Sequence, residues 1–315
     1  MVGLVLVKQH RLVTFPVALG VSLVLCCVAL TLHRLRQGAL RSHYPETFCR
    51  DHVQVVVAVQ SAPDNFRQRM AIRKTLGNSA VTRILPWRVL FYTTPPRKEL
   101  IQVMRSELAK EDLLVTQGKD NVTSFLDMAH WVSERCGTWL RYLVHINDTT
   151  FADLVALHEY TLRLPSDDSD FHCQVEAMVR VERDPSHPDY IPETVFRDNI
   201  FPNHCHGSAF IVPGRFLEPL VYASRSIPPY QAFGPYLTGH LPVLARLGHT
   251  DVRSRMNNTV NGVWTERKFF TGGFNDTDMW KRHWLKTLVC FKDNENTTST
   301  LTQSIVRSIQ LGVVD

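Results

Sequence analysis

The sequence predicts an α/β fold, a mostly parallel sheet with helices on both faces. Two observations carry this: strand-like and helix-like segments alternate from about residue 52 onward, and the strand segments are continuous apolar, β-branched runs of the kind buried on both faces. A third, 44% hydrophobic residues in a chain of 315, gives enough apolar material for one sizeable core.

The elements follow in order. Residues 52–60 (HVQVVVAVQ) read as a buried strand, and residues 65–77 as a helix closed by a glycine. Residues 89–93 form a second strand stopped by Pro95 and Pro96, followed by a helix over 98–110 and a short strand over 113–116. In 121–136, Val122, Phe125, Ala129 and Val132 share one face at helical spacing. The next strand, 142–146, runs into Asn147-Asp148-Thr149, at a strand's carboxyl end, where open α/β sheets hold their ligands. Residues 171–181 and 207–212 read as strands, 185–202 as a Pro-rich loop and 214–224 as a helix. From about Thr250 onward the sequence shows no firm elements.

Residues 12–32 form an uncharged apolar run of the roughly 20 residues that cross a bilayer as a helix. A tail over 1–11, a span over 12–32 and a stem over 33–49 are therefore expected ahead of one domain over 50–315. Positive charges flank the run on both sides and leave its orientation open. Asn-x-Ser/Thr acceptors at Asn121, Asn147, Asn257, Asn275 and Asn296 all follow it, as expected if that part is luminal. The net charge of +5 is spread along the chain, which gives no footprint for nucleic acid. Five of the seven cysteines lie beyond the run and allow two bridges with one cysteine over, in pairings that sequence does not fix.

Residues 61–77 read SAPDNFRQRMAIRKTLG, which resembles the signature that opens the catalytic domain of the β-1,3-galactosyltransferase family. Further matches come in family order: Trp131-Val132-Ser133 with Cys136, the strand 142–151 at the family's Asp-x-Asp motif, 202–207 (PNHCHG), and Leu237-Thr238-Gly239. Together they span about two-thirds of the chain.

The resemblance implies a GT-A, Rossmann-like nucleotide-sugar domain on the luminal side of a Golgi membrane, anchored as a single-pass type II protein. It also implies transfer of a hexose or N-acetylhexosamine from a UDP-sugar to a glycan acceptor, with Mn²⁺ bridging the diphosphate. Arg69 and Arg73 match the family's motif arginines, and a guanidinium suits phosphate oxygens. Asp148 is the expected nucleotide-sugar and metal residue, and Asn121, Asn257, Asn275 and Asn296 the expected glycan acceptors, with Asn147 unmodified.

The departures are as specific. The family's Asp-x-Asp falls on Asn147-Asp148-Thr149, so both defining carboxylates are missing, and an amide and a hydroxyl are weak ligands for a hard cation. The family's presumed carboxylate base falls on Phe233-Gly234, and a motif lysine falls near Ser124. Asp198, His206 and Glu218 are substitute bases that spacing does not distinguish. Asp167-Asp168-Ser169-Asp170 holds a literal Asp-x-Asp in a position that reads as a solvated turn. Three functions remain open: an active transferase, a catalytically inactive relative that binds glycans or assists a related transferase, and a cell-surface structural or adhesion glycoprotein, against which the intact arginine motif argues.

Overall fold

The computed structural model describes residues 42–50, 52–257 and 268–289, together with Val28. The apolar run over 12–32 lies outside the described residues apart from Val28, as do Asn296 and Cys290. Among the described residues no helix is long and apolar enough to cross a membrane.

The described chain from residue 42 onward is built on a seven-stranded sheet. The elements are β1 (Val55–Gln60), α1 (Phe66–Lys74), α2 (Ser79–Ile84), β2 (Trp87–Thr93), α3 (Ile101–Leu108), β3 (Leu113–Val115), α4 (Asn121–Cys136), β4 (Tyr142–Asn147) and β5 (Phe151–Ala152). Then come α5 (Leu154–Arg163), β6 (Asp170–Glu176), β7 (His204–Pro213), α6 (Leu217–Ser224), a π-turn over Pro235–His240, α7 (Leu241–Ala245), β8 (Gly248–Asp251), β9 (Met256–Asn257), β10 (Phe270–Thr271) and α8 (Thr277–Val289).

The strand order is β3-β2-β1-β4-β7-β6-β8, and β5, β10 and β9 form a small second sheet. Strands β3, β2, β1 and β4 run parallel, as does the β6–β8 pair, while β7 is antiparallel to both β4 and β6. The expected α/β fold with a mostly parallel sheet is therefore present, with one reversed strand.

Alternation along β1 explains the two cores. Val55, Val57 and Val59 pack on one face with Ile72 of α1, Leu157 of α5 and Trp280 of α8, and Val56 and Ala58 pack on the other with Phe125 and Val132 of α4 and Leu220 of α6. Leu76, where the family signature has tryptophan, is wholly buried in the first core and simply fills it. Helix α4 starts where the sequence places it because Asp120 and Thr123 close a capping box, Thr123 N–H donating to Asp120 Oδ1 at 2.8 Å.

Three expectations are corrected. Beyond Thr250 the structure holds β9, β10 and α8; Phe270 is buried in the same core as Phe151, whose ring lies against the buried Phe274, ahead of α8, and Trp280. Helix α8 escapes a reading by period because it opens among the polar residues Asn275, Asp276 and Thr277. Strand β6 ends at Glu176 rather than at 181. Asp168 is not in a solvated turn: it is buried, and its Oδ2 accepts from Tyr142 O–H at 3.1 Å and lies 2.9 Å from His172 Nε2.

Two disulfides, Cys49–Cys136 and Cys173–Cys205, resolve the pairing left open by sequence.

Candidate functional site

Parallel register brings the carboxyl ends of three strands together. Gln60 pairs with both Tyr92 and Asn147, Ser61 N–H donates to Tyr92 C=O at 3.1 Å, and Asp148 N–H donates to Gln60 C=O at 2.9 Å. Beside this junction opens a cavity of about 540 Å³, in the range of small-molecule sites. Its walls come from the β1 loop (Ser61, Pro63, Asn65), the end of β2 (Thr93, Thr94), the first turn of α4 (Asn121, Ser124), Asp148, and His206 to Ser208 of β7 with Phe233.

Two segments far apart in sequence are tied together here. Asp148 Oδ2 accepts from Ser61 Oγ–H at 2.7 Å and from Asn65 Nδ2–H at 2.8 Å, and Asp148 is buried. Both residues of the β1 loop belong to the motif read at 61–77, and Asp148 belongs to the strand read at 142–151.

Arg69 and Arg73, expected in nucleotide or structural roles, are not among the residues that line this cavity. The Arg69 side chain is wholly buried and its N–H groups are all engaged: Nε and Nη2 with Glu107, Nη1 with Ser61 Oγ and Ala62 C=O, and Nη2 also with Pro63 C=O. Arg73 donates to Glu107 Oε1 at 2.6 Å and to Asp112 Oδ2 at 2.7 Å. The two arginines brace the β1 loop from behind, and Arg69 reaches the site through Ser61. Burial pushes the Glu107 carboxyl up, but its bonds to both arginines outweigh this and hold it below the ordinary range.

The donor set does not fit the expected Mn²⁺. A hard divalent cation wants several oxygen ligands including carboxylates. Among the described residues Asp148 is the one carboxylate lining the cavity, and its Oδ2 already holds two hydrogen bonds. Asn147 Oδ1 accepts from Thr149 and Thr150 hydroxyls at 3.0 and 2.5 Å, and Asp153 caps α5, accepting from Val155 and Ala156 N–H at 3.1 Å. Among the described residues no group of three or more His, Cys, Asp or Glu is placed to hold a metal.

Phe233 stands where the family's carboxylate base was expected, and it lines the cavity. Gly234 fixes it there, because a Cβ at 234 would lie 2.6 Å from Cys205 C=O. Phe233 covers His145, which is wholly buried and stacked on Phe210 with ring centroids 4.6 Å apart. Burial lowers His145 to about 3, opposed only by the Gly207 backbone, so the ring is neutral at physiological pH. Among the described residues its Nε2 makes no hydrogen bond of ordinary geometry.

Of the expected glycan acceptors, Asn275 is exposed ahead of α8 and Asn257 is half-buried in β9. Asn121 is exposed but lines the cavity, so a glycan on it would sit in the cavity mouth and not on a remote surface. Sequence reasoning passed over Thr93 and Thr94. The rule that ligands gather at strand carboxyl ends applies to β2 as it does to β4 and finds both. Thr93 Oγ1 is buried at this wall without a hydrogen-bond partner among the described residues.

Comparison with models of known protein families gives no match. Among curated proteins, beta-1,3-galactosyltransferase 9 of Homo sapiens is 25% identical over 175 residues, covering 53% of this chain and 47% of that protein. UDP-GlcNAc:betaGal beta-1,3-N-acetylglucosaminyltransferase 8 of Mus musculus is 25% identical over 192 residues, 58% of this chain and 48% of that protein. The acetylgalactosaminyl-O-glycosyl-glycoprotein beta-1,3-N-acetylglucosaminyltransferase of Homo sapiens is 27% identical over 216 residues, 64% and 56%. The chain thus spans about half the length of the curated relatives it matches.

Among solved structures, a glycosyltransferase involved in the glycosylation of the major capsid of PBCV-1 overlaps with a TM-score of 0.37 at 10% identity, covering 73% of this chain and 99% of that one. The galactosyltransferase LgtC in complex with donor and acceptor sugar analogs overlaps with a TM-score of 0.37 at 8% identity, covering 74% and 95%. Overlaps of this size add nothing to the site. By sequence, the chain is similar over 53 to 64% of its length to β-1,3-galactosyl- and β-1,3-N-acetylglucosaminyltransferases, at 25 to 27% identity.

Proposed function

We propose that this protein is a GT-A-type glycosyltransferase that takes a UDP-sugar in the cavity at the ends of β1, β2 and β4 and transfers its hexose or N-acetylhexosamine to a glycan acceptor. One observation carries the reading. The Ser61–Asp148 hydrogen bond, at 2.7 Å, joins the two segments that resemble the family's donor-binding motifs, and joins them at the wall of the cavity.

In this reading the donor is held by neutral groups: Ser61, Asn65, Thr93, Thr94, Asn121 and Ser124 offer hydroxyls and amides, and the first turn of α4 offers the positive end of a 16-residue helix. With a donor set that does not fit Mn²⁺, binding is proposed to be indifferent to the metal. A luminal Golgi location, reached through a membrane span over 12–32, is supported by that apolar run and by acceptors placed after it. The two disulfides point the same way, because such bridges persist in oxidising compartments.

The second reading, a relative without catalysis that binds glycans or assists a related transferase, is favoured by Phe233 at the place of the base and by the single carboxylate. The test is release of UDP from UDP-galactose and UDP-N-acetylglucosamine by the purified chain across a panel of acceptor saccharides. Turnover supports the transferase. UDP binding without turnover supports the second reading, and a chain that turns over no donor and binds neither UDP nor glycoprotein removes both.

A further inference from the structure

We infer that His206 is the base that deprotonates the acceptor hydroxyl in this site, replacing the carboxylate that Phe233 has displaced. The inference rests on the proposed donor pocket, and its observations come from the strand beyond it.

Among the described residues three titratable side chains line the cavity: Tyr92, Asp148 and His206. Tyr92 is wholly buried, its hydroxyl lies 3.2 Å from His145 Nδ1, and burial pushes it well above its ordinary value, so it does not ionise to act as a base. Asp148 is committed to the donor wall, with Ser61 and Asn65 both on Oδ2. His206 stands on β7, which lies beyond β4 from β1 and β2 and beside Phe233 at the other end of the wall.

The local geometry suits a base. His206 is half-buried, with room for a substrate hydroxyl to reach it. Ser208 Oγ lies 2.9 Å from Nδ1 and fixes the ring, while Nε2 has no hydrogen-bond partner among the described residues. Gly207 lies between them, and a Cβ there would meet Phe233 Cδ1 at 3.5 Å, so Phe233 packs directly over this stretch of β7. An imidazole held by one nitrogen and open at the other is the usual form of a general base near neutral pH.

The step balances without another reactant. The acceptor O–H gives its proton to His206 Nε2 as its oxygen forms a bond to the anomeric carbon. The bond from that carbon to the β-phosphate oxygen breaks, UDP leaves with the electron pair, and the imidazolium returns its proton to water. Ser208 is a positioning residue in this scheme.

The experiment compares the wild-type full chain with H206A, reading UDP release from UDP-galactose and UDP-N-acetylglucosamine with lactose, benzyl N-acetylgalactosaminide or water as acceptor, and UDP affinity by calorimetry. The expected result is turnover reduced about 100-fold or more in H206A, with UDP affinity unchanged and roughly tenfold recovery when free imidazole is added. Undiminished turnover in H206A overturns the inference. So does a loss that imidazole does not rescue, which marks a structural role, and so does a wild-type chain that binds UDP without turning over any donor. A wild-type chain that binds no UDP removes the donor-pocket reading itself, and the role of His206 with it.

Discussion

Arg69 Nη2 lies 2.6 Å from Glu107 Oε2, with the Arg69 side chain wholly buried and that of Glu107 8% exposed. This pair, with Arg73 and Asp112, holds the β1 loop in the shape that brings Ser61 to Asp148. Replacing Glu107 by Gln strands a buried guanidinium, so E107Q is expected to lose about 3–5 kcal/mol of stability, measured by denaturant unfolding. Because the folded Glu107 carboxyl is held below its ordinary 4.5, its contribution is present above that value and is lost as pH falls through the lower folded value.

His145 gives a second acid-dependent contribution in a different window. Burial lowers it to about 3 from 6.5, so the unfolded chain takes up a proton that the folded chain refuses. Stability is expected to fall by about 1.4 kcal/mol per pH unit between those two values. H145F removes this group, and a flatter stability curve across that window in thermal unfolding is the expected outcome.

Asp148 is expected to oppose a diphosphate where no cation covers it. D148N keeps the shape of the loop and removes the charge, so UDP affinity without metal should rise roughly 3- to 10-fold. Loss of UDP binding in D148N would mean that the carboxylate holds a cation after all.

Asn147 is half-buried, with its Oδ1 held by the hydroxyls of Thr149 and Thr150. Peptide mapping of the purified chain is expected to find glycan on the exposed Asn275 and none on Asn147, where it would fill the cavity at the strand ends.

The two disulfides close 87- and 32-residue separations. Removing the Cys173–Cys205 bridge by C173S with C205S should cost about 2–5 kcal/mol, read as a lowered unfolding midpoint.

Much of this was legible in the sequence where period and capping agree. Helix α4 has the predicted bounds because its apolar face repeats at helical spacing and Asp120 caps it. The place of Asp148 followed from the strand-end rule. The role of Arg69 was not legible: its partner Glu107 lies 38 residues away, and a sequence motif names an arginine without saying which way it points. The choice of His206 over Asp198 and Glu218 needed the pairing of β7 beside β4, which is a long-range contact that no local pattern encodes.

The most direct test of the account is titration of the purified chain with UDP in the presence and absence of Mn²⁺. The donor set around Asp148 predicts saturable binding with the same affinity in both. Binding that appears only with Mn²⁺, or strengthens by roughly tenfold or more with it, would contradict the account and restore a metal-dependent site.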